Sequence, residues 1–288
     1  MKNLKSDEFP LISVLIATYN RKVLLARCLQ GVFDQTYPNV EVIVVDDAST
    51  DKTEDMLKDN SRVIYLKNEK NKGISYNINK AASVANGEYF ALLGDDDLWV
   101  DKEKLKKQME ILLANSELGF VTTYWKDIKN GEVHRVHSPK INCREDQILR
   151  GNGIYCGSTP LVSKEAWIAV RGFDESIPRG CDSDFFRSLV FSGYQGYILE
   201  SYTTEVFIDD HPRMTPTNST NAILRDIESS FICLKKFESH FEKYHAAKFD
   251  RIIGLVKKYI KLAFLDRNPK WILKGGRRIS EMFLLGRF

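Results

Sequence analysis

Short apolar runs alternate along the chain with stretches in which apolar residues recur every three or four positions. Ile12 to Ala17 (ISVLIA) is a continuous run rich in β-branched residues, and it stops at Thr18-Tyr19-Asn20. Leu24, Leu25, Cys28, Leu29 and Val32 then follow at helical spacing. Glu41 to Val45 (EVIVV), Arg62 to Leu66 (RVIYL) and Glu88 to Leu93 (EYFALL) read as three more strands. Asp51 to Asn60, Ile74 to Ala85 and Asp101 to Ala114 read as helices, the last with Leu105, Met109 and Leu112 at i, i+4 and i+7. Strands without polar alternation predict a sheet covered on both sides, and strand–helix alternation predicts parallel pairing. The expected class is α/β, with a mainly parallel central sheet and helices on both faces.

The second half is more mixed. Gly119 to Trp125, Pro160 to Val162 and Tyr202 to Ile208 read as strands, and Lys164 to Val170 and Asp184 to Phe191 as helices. Asp209 to Asn221 (DDHPRMTPTNSTN) has loop composition. Beyond it the pattern is helical, with breaks expected at Asn268-Pro269 and Gly275-Gly276. This organisation predicts one domain over residues 1–215 and a C-terminal helical extension over 216–288.

Composition narrows the classes. Hydrophobic residues make up 43% and charged residues 28% of 288, which excludes a disordered chain or a fibre. No apolar run approaches the roughly 18–20 residues of a membrane span. The opening MKNLKSDEFP lacks the apolar core of a signal peptide. Five dispersed cysteines without a CxxC pair argue against a disulfide framework or zinc site and for a reducing compartment. Net charge is +3, but residues 240–288 hold 12 Lys+Arg against 4 acids, so the tail is +8 and the remainder −5.

The polar residues that follow the strands carry the chemistry. Thr18-Tyr19-Asn20-Arg21 follows the first strand, Asp46-Asp47 the second and Asp95-Asp96-Asp97 the fourth. In an open parallel sheet the carboxyl ends of the strands share one edge, where ligands bind. Three adjacent carboxylates need solvent or a cation, and hard oxygen donors suit Mg²⁺ or Mn²⁺ shared with substrate phosphates. The bland alternative is an acidic turn capping the helix at Asp101. Asp46-Asp47 could accept from a base N–H or a ribose hydroxyl; Asp47 or Ser49 could equally cap a helix. Tyr19 could offer its ring to a base. Asp182, at the start of an amphipathic helix, is suited to stay ionised as a general base, or to serve as an N-cap. His211 falls in the loop stretch after the last strand, where a solvated histidine is the plain reading.

The ordered set SVLIATYNR (13–21), QTYP (35–38), VVDDASTD (44–51), GEY (87–89), the acidic triplet with Trp99, and RGFDE (171–175) resembles family 2 glycosyltransferases of the GT-A fold, over about residues 10–215. The resemblance implies inverting transfer of a sugar from a nucleotide diphosphate, UDP foremost, to an acceptor hydroxyl in cell-surface polysaccharide assembly. It implies a base pocket lined by Ala17, Thr18 and Tyr19, with Arg21 beside them among the donor-binding residues. Asp47 would bond the base, Asp95 would lie near ribose or diphosphate, and Asp96 would bind Mn²⁺ or Mg²⁺. Asp182 would be the catalytic base, and His211 would face the diphosphate as a metal ligand or donor. The chain departs from the usual family pattern at Gly94, Cys181, Ser188 and Ile78, where an Asp, a Glu, an Arg and an Arg are common. A nucleotidyltransferase would share the sheet and the acids but carry a Gly-rich basic loop, which residues 17–23 lack. A non-catalytic membrane-surface module is the third class. Nucleic acid is a poor partner for an acidic rim.

Phe249 to Leu265 has Ile252, Leu255, Val256, Tyr259, Ile260 and Ala263 on one expected helical side, with Lys257, Lys258 and Lys261 on the other. Trp271, Arg277, Arg278 and Met282-Phe283-Leu284-Leu285 extend the theme. Such basic helices lie on anionic membranes, or here pack as a lid. The expected partners are a nucleotide sugar, a glycan or lipid-linked acceptor, and a membrane contact through 249–288. The expected place is the cytoplasm, at the inner face of the membrane.

Overall fold

A computed structural model describes residues 9–139, 148–149, 156–208 and 219–284. Among these, nine strands join one sheet: β1 (Ile12–Thr18), β2 (Val40–Asp46), β3 (Ile64–Lys67), β4 (Tyr89–Leu92), β5 (Leu98–Trp99), β6 (Leu118–Lys129), β7 (Glu132–His137), β8 (Leu161–Ser163) and β9 (Gln195–Phe207). The order is β3-β2-β1-β4-β8-β6-β9-β5, with β7 added to β6. The first half, β3-β2-β1-β4, is parallel as the strand–helix alternation requires. The far half is mixed: β6 and β9 are parallel, whereas β8 runs antiparallel to β4 and β6, and β5 antiparallel to β9.

The helices are α1 (Lys22–Phe33), α2 (Thr53–Leu57), α3 (Ile74–Val84), α4 (Lys104–Ala114), α5 (Lys164–Ala169), α6 (Cys181–Phe191), α7 (Thr220–Lys236), α8 (Glu238–Lys243), α9 (His245–Leu265) and α10 (Lys270–Leu284). All seven residues of β1 are buried, so both of its faces are covered. Ile12, Val14 and Ile16 pack in one cluster with Val42 and Val44 of β2, Leu25, Cys28, Leu29 and Val32 of α1, and Leu105, Met109 and Leu112 of α4. Successive strand side chains alternate sides, so Leu15, Ile43 and Val45 point the other way. On that side α3 packs on β1 and β2, and Trp167 of α5 meets Phe90 edge to face at 5.5 Å.

The chain divides into two compact units. One holds the sheet, α1 to α5 and the end of α6 from Ser188; the other holds Asp174–Arg187 and α7 to α10. The expected strands and helices are present, but β6 and β9 run well past their apolar centres, and β5 and β7 carry no apolar run that would announce them. The break at Asn268-Pro269 separates α9 from α10. The break expected at Gly275-Gly276 is absent, because α10 runs straight through it. Gly275 serves close packing instead: a Cβ there would lie 2.5 Å from the Tyr259 ring of α9. The loop expected over 209–221 falls largely outside the described residues.

The RGFDE segment is built as a tight turn. Arg171 and Gly172 both have positive φ, 64° and 68°. Asn79 of α3 grips the turn from both sides, accepting from Phe173 N at 2.9 Å and donating to Phe173 O at 2.8 Å. A Cβ on Gly172 would come 2.6 Å from Asn79 Oδ1 and 2.9 Å from the Trp167 ring. Gly172→Ala is therefore expected to lower the unfolding free energy by about 2 kcal/mol, measured by urea denaturation, since both the backbone and the space reject it.

Candidate functional site

The rim begins where β1 ends. Thr18 is buried, Tyr19 is 37% exposed, and Asn20 turns the chain with φ 52°. Asn20 and Lys22 tie this corner to the loop after β2. Asn20 N donates to Ser49 Oγ at 2.8 Å, Thr50 N donates to Asn20 Oδ1 at 2.7 Å, and Lys22 N donates to Asp51 Oδ2 at 2.8 Å. Asp47 N closes the join by donating to Thr18 O at 2.9 Å. The TYNR and DDASTD segments are thus two halves of one corner.

Asp46 and Asp47 are both buried, and both are engaged. Asp46 accepts from Ser49 N at 2.8 Å and from the Tyr65 hydroxyl at 2.7 Å. Asp47 accepts from Asn68 Nδ2 at 3.0 Å, Lys72 N at 2.7 Å and Gly73 N at 2.9 Å. Three of its roughly four lone-pair positions are therefore used in fixing the loop that leads into α3. Neither Asp47 nor Ser49 caps α2, which starts after Lys52 without a side-chain cap.

The acidic triplet divides by direction. Asp95 and Asp97 are buried, while the Asp96 side chain keeps 22% exposure. Arg21 Nη1 lies 2.9 Å from Asp95 Oδ1 and 2.9 Å from Asp96 Oδ2, so one cationic nitrogen bridges two carboxylates. Arg27 Nη2 donates to the Asp96 carbonyl at 2.7 Å, and its guanidinium stacks on Phe207 at 3.5 Å. Asp97 accepts from Ser158 Oγ, which itself accepts from Gly94 N at 2.9 Å. Gly94 fits because a Cβ there would already be 3.1 Å from oxygens of Asp96 and Asp97.

Burial pushes the Asp95 carboxyl up to about 6; Arg21 opposes that rise and Asp96 adds to it. Burial and then Asp96 push Asp97 up as well. Burial, reinforced by Asp95, Asp97 and Asp96, raises the Cys28 thiol, whose sulfur lies 3.4 Å from Gly94 O. The buried Thr18 hydroxyl also favours the ionised Asp95 by hydrogen bonding.

Among the described residues, no group of three or more His, Cys, Asp or Glu side chains is arranged to hold a metal ion. The two carboxylates that converge on Arg21 are hard oxygen donors, and Asp96 is the more exposed of them. They suit a divalent cation that draws its remaining oxygens from a diphosphate. The triplet does not cap α4: β5 intervenes, and Asp101 serves that helix start, accepting from Glu103 N at 2.9 Å.

Trp99 is buried and donates its indole N–H to Ser158 O at 2.8 Å. Beneath it lies the fully buried Lys104, 4.2 Å from the Trp99 ring centre, its Nζ donating to Gln108 Oε1 at 2.7 Å. Gln108 Nε2 bonds Val121 O and Thr159 O, at 2.8 and 2.9 Å. This support was not foreseen. Gln108 meets Lys104 four residues away, but its carbonyl partners and those that Ser158 serves are 13 to 64 residues away, so nothing local marks the pair.

Asp182 belongs to the other unit. It lies in the first turn of α6, half-buried, and accepts from Ser183 N at 2.7 Å. Asp184, two residues on, is buried against Lys236 at 2.6 Å; burial pushes its carboxyl up against the pull of that lysine. Lys236 also holds Asp174 at 3.0 Å. Ala17, Thr18, Tyr19, Arg21, Asp47, Asp95 and Asp96 share the sheet unit. His211 lies outside the described residues.

Residues 13–167, more than half of the chain, match the model of glycosyl transferase family 2, and the chain belongs to that family. It is 34% identical over 164 residues to the putative teichuronic acid biosynthesis glycosyltransferase TuaG of Bacillus subtilis, covering 54% of this chain and 63% of that one. It is 38% identical over 169 residues to the UDP-Glc:alpha-D-GlcNAc-diphosphoundecaprenol beta-1,3-glucosyltransferase WfaP of Escherichia coli, covering 54% and 66%. The matches thus span a little under two thirds of these relatives. The fold is that of the mannosyltransferase PcManGT from Pyrobaculum calidifontis, solved with GDP-Man and Mn2+, with a TM-score of 0.61 at 17% identity over 97% of this chain and 76% of that one. Among the described residues no helix is long and apolar enough to cross a membrane.

The buried lysine gives the rim's support a pH signature. Burial holds the Lys104 ammonium down at about 7, against an ordinary value of 10.5. Between those values the unfolded chain binds the extra proton, so stability rises with pH across that window and is lost as pH falls to 7. The thermal midpoint of the wild type is expected to climb from pH 7 to 9 by a component that Lys104→Met lacks, measured by calorimetry.

Proposed function

We propose that this family 2 chain transfers a sugar, with inversion, from a nucleotide diphosphate to an acceptor hydroxyl in the assembly of a cell-surface polysaccharide. The observation that carries the reading is the meeting of Asp95 and Asp96 on Arg21 at the ends of β1 and β4, beside an exposed Tyr19. UDP is the expected nucleotide and a lipid-linked glycan the expected acceptor. Support comes from the relative named for a UDP-glucose donor and a diphosphoundecaprenol acceptor.

Tyr19 offers its ring to the base, and Ala17 and Thr18 form the floor beside it. Asp47 holds the loop into α3 and keeps one acceptor position for a base N–H. Asp96 and His211 would hold Mn²⁺ or Mg²⁺, and Asp95 would lie near the ribose or diphosphate. Such an ion, when bound, neutralises charge on the diphosphate leaving group. Arg21 supplies permanent positive charge at the same corner. Asp182 accepts the proton of the acceptor hydroxyl as that oxygen bonds to the anomeric carbon and the carbon–oxygen bond to the diphosphate breaks. One displacement inverts the centre, so one base suffices.

Incubation with UDP-, dTDP- and GDP-sugars, Mn²⁺ and lipid-linked acceptors should release a nucleoside diphosphate. Release of pyrophosphate would instead make the protein a nucleotidyltransferase. Asp182→Asn is expected to lower kcat by about two to four orders of magnitude with donor affinity kept; weakened donor binding with normal turnover would remove Asp182 from the role. Asp96→Ala is expected to abolish the Mn²⁺-dependent part of UDP affinity in calorimetry.

A further inference from the structure

The long helix α9 has two apolar faces, and only one is used inside its own unit. Ala247, Leu255, Tyr259 and Leu262 are buried. Lys258 also turns inward, its Nζ 3.1 Å from Asp226 O and 2.9 Å from Ser230 Oγ of α7. The side chains expected to form one apolar face are therefore split, with Val256 and Ile260 on the outside. There they align with Phe249, Ile253 and Phe264 at i, i+4, i+7, i+11 and i+15. Exposure along this stripe is 64% at Phe249, 36% at Ile253, 42% at Val256, 38% at Ile260 and 79% at Phe264.

At ~1.5 Å per residue the stripe is roughly 22 Å long. Ile272 and Leu273 of α10 are exposed as well. A contiguous apolar strip of this size on a water-facing helix marks a surface that meets something. The charges nearby say what. Lys257 and Lys261 are exposed on α9, and Arg267, Lys270 and Lys274 are exposed in the turn and helix that follow. The acids of this stretch, Asp250 and Asp266, stand one at each end, and Asp266 already takes the Thr220 hydroxyl and the Trp271 indole. A second copy seated on the stripe across a two-fold axis would bring these lysines against their own images. A sheet of lipid phosphates supplies the opposite charge and an apolar layer beneath it.

We propose that the stripe Phe249–Ile253–Val256–Ile260–Phe264 seats the chain on an anionic bilayer surface, its apolar side chains entering the headgroup boundary and Lys257 and Lys261 meeting lipid phosphates. This goes beyond the transfer reaction and needs no turnover to test, so either reading can fail alone.

The full chain is co-sedimented with vesicles of phosphatidylcholine alone and of phosphatidylcholine mixed with phosphatidylglycerol. Binding is expected only to the mixed vesicles, and to weaken with added salt. Phe249→Ser with Phe264→Ser should lower the partition by about tenfold or more, and Lys257→Glu with Lys261→Glu by a similar factor. Both double variants should keep the wild-type far-ultraviolet circular dichroism and thermal midpoint, because the altered side chains are exposed. Equal sedimentation of wild type and Phe249→Ser/Phe264→Ser would overturn the proposal, as would equal binding to neutral vesicles. So would a concentration-dependent dimer in light scattering that Phe264→Ser abolishes, which would give the stripe to a second copy.

Discussion

Five carboxylates end or follow β2 and β4, the two strands that flank β1, and four of them are withdrawn from water. That is the constraint around which the rest of the sheet unit is arranged. Buried carboxylates without partners would cost several kcal/mol each. Each one here is met by a different device. Asp46 is met by a backbone N–H and a tyrosine, Asp47 by two backbone N–H groups and Asn68, Asp97 by Ser158, and Asp95 by Arg21. The compensation is uneven. Two hydrogen bonds reach Asp46 and three reach Asp47, whereas at Asp95 and Asp97 burial still pushes the carboxyl up.

That unevenness separates architecture from chemistry inside the same motifs. In the two loops after β1 and β2, Asn20 bonds Ser49 and Thr50, Asp51 accepts from Lys22 N and Thr53, and Asp46 bonds inward. They make the corner. Tyr19 and Asp96 keep part of their surface exposed. The same division holds in the second unit. Asp184 and Asp174 are committed to Lys236, while Asp182 stays half-exposed at the helix start. A motif read only as a string of acids would not distinguish these roles.

The C-terminal helices obey a related logic. A single apolar face would have been satisfied by packing α9 on α7 and α10. The helix instead has enough apolar positions for two faces, and Leu255 and Tyr259 go in while Val256 and Ile260 stay out. Gly275 allows α10 to approach the Tyr259 ring, which is why a glycine pair expected to end a helix lies within one. The lysine between the faces, Lys258, is drawn inward by a carbonyl and a serine, leaving Lys257 and Lys261 to the surface.

The α/β class, the four parallel strands and the rim acids were legible in the chain itself, because they rest on local periodicity and on which polar residues follow each strand. Family membership was legible too, in the order of the short motifs. Other features depended on residues far apart in the chain. The antiparallel insertion of β8 beside β4, the short β5, and the support of Asp97 by Ser158 have no local signature, since each pairs segments dozens of residues apart. The choice among three adjacent aspartates was likewise made by folding. Asp95, Asp96 and Asp97 are identical as letters, and only the positions of Arg21 and Ser158 around them decide which is buried, which is bridged and which still reaches water.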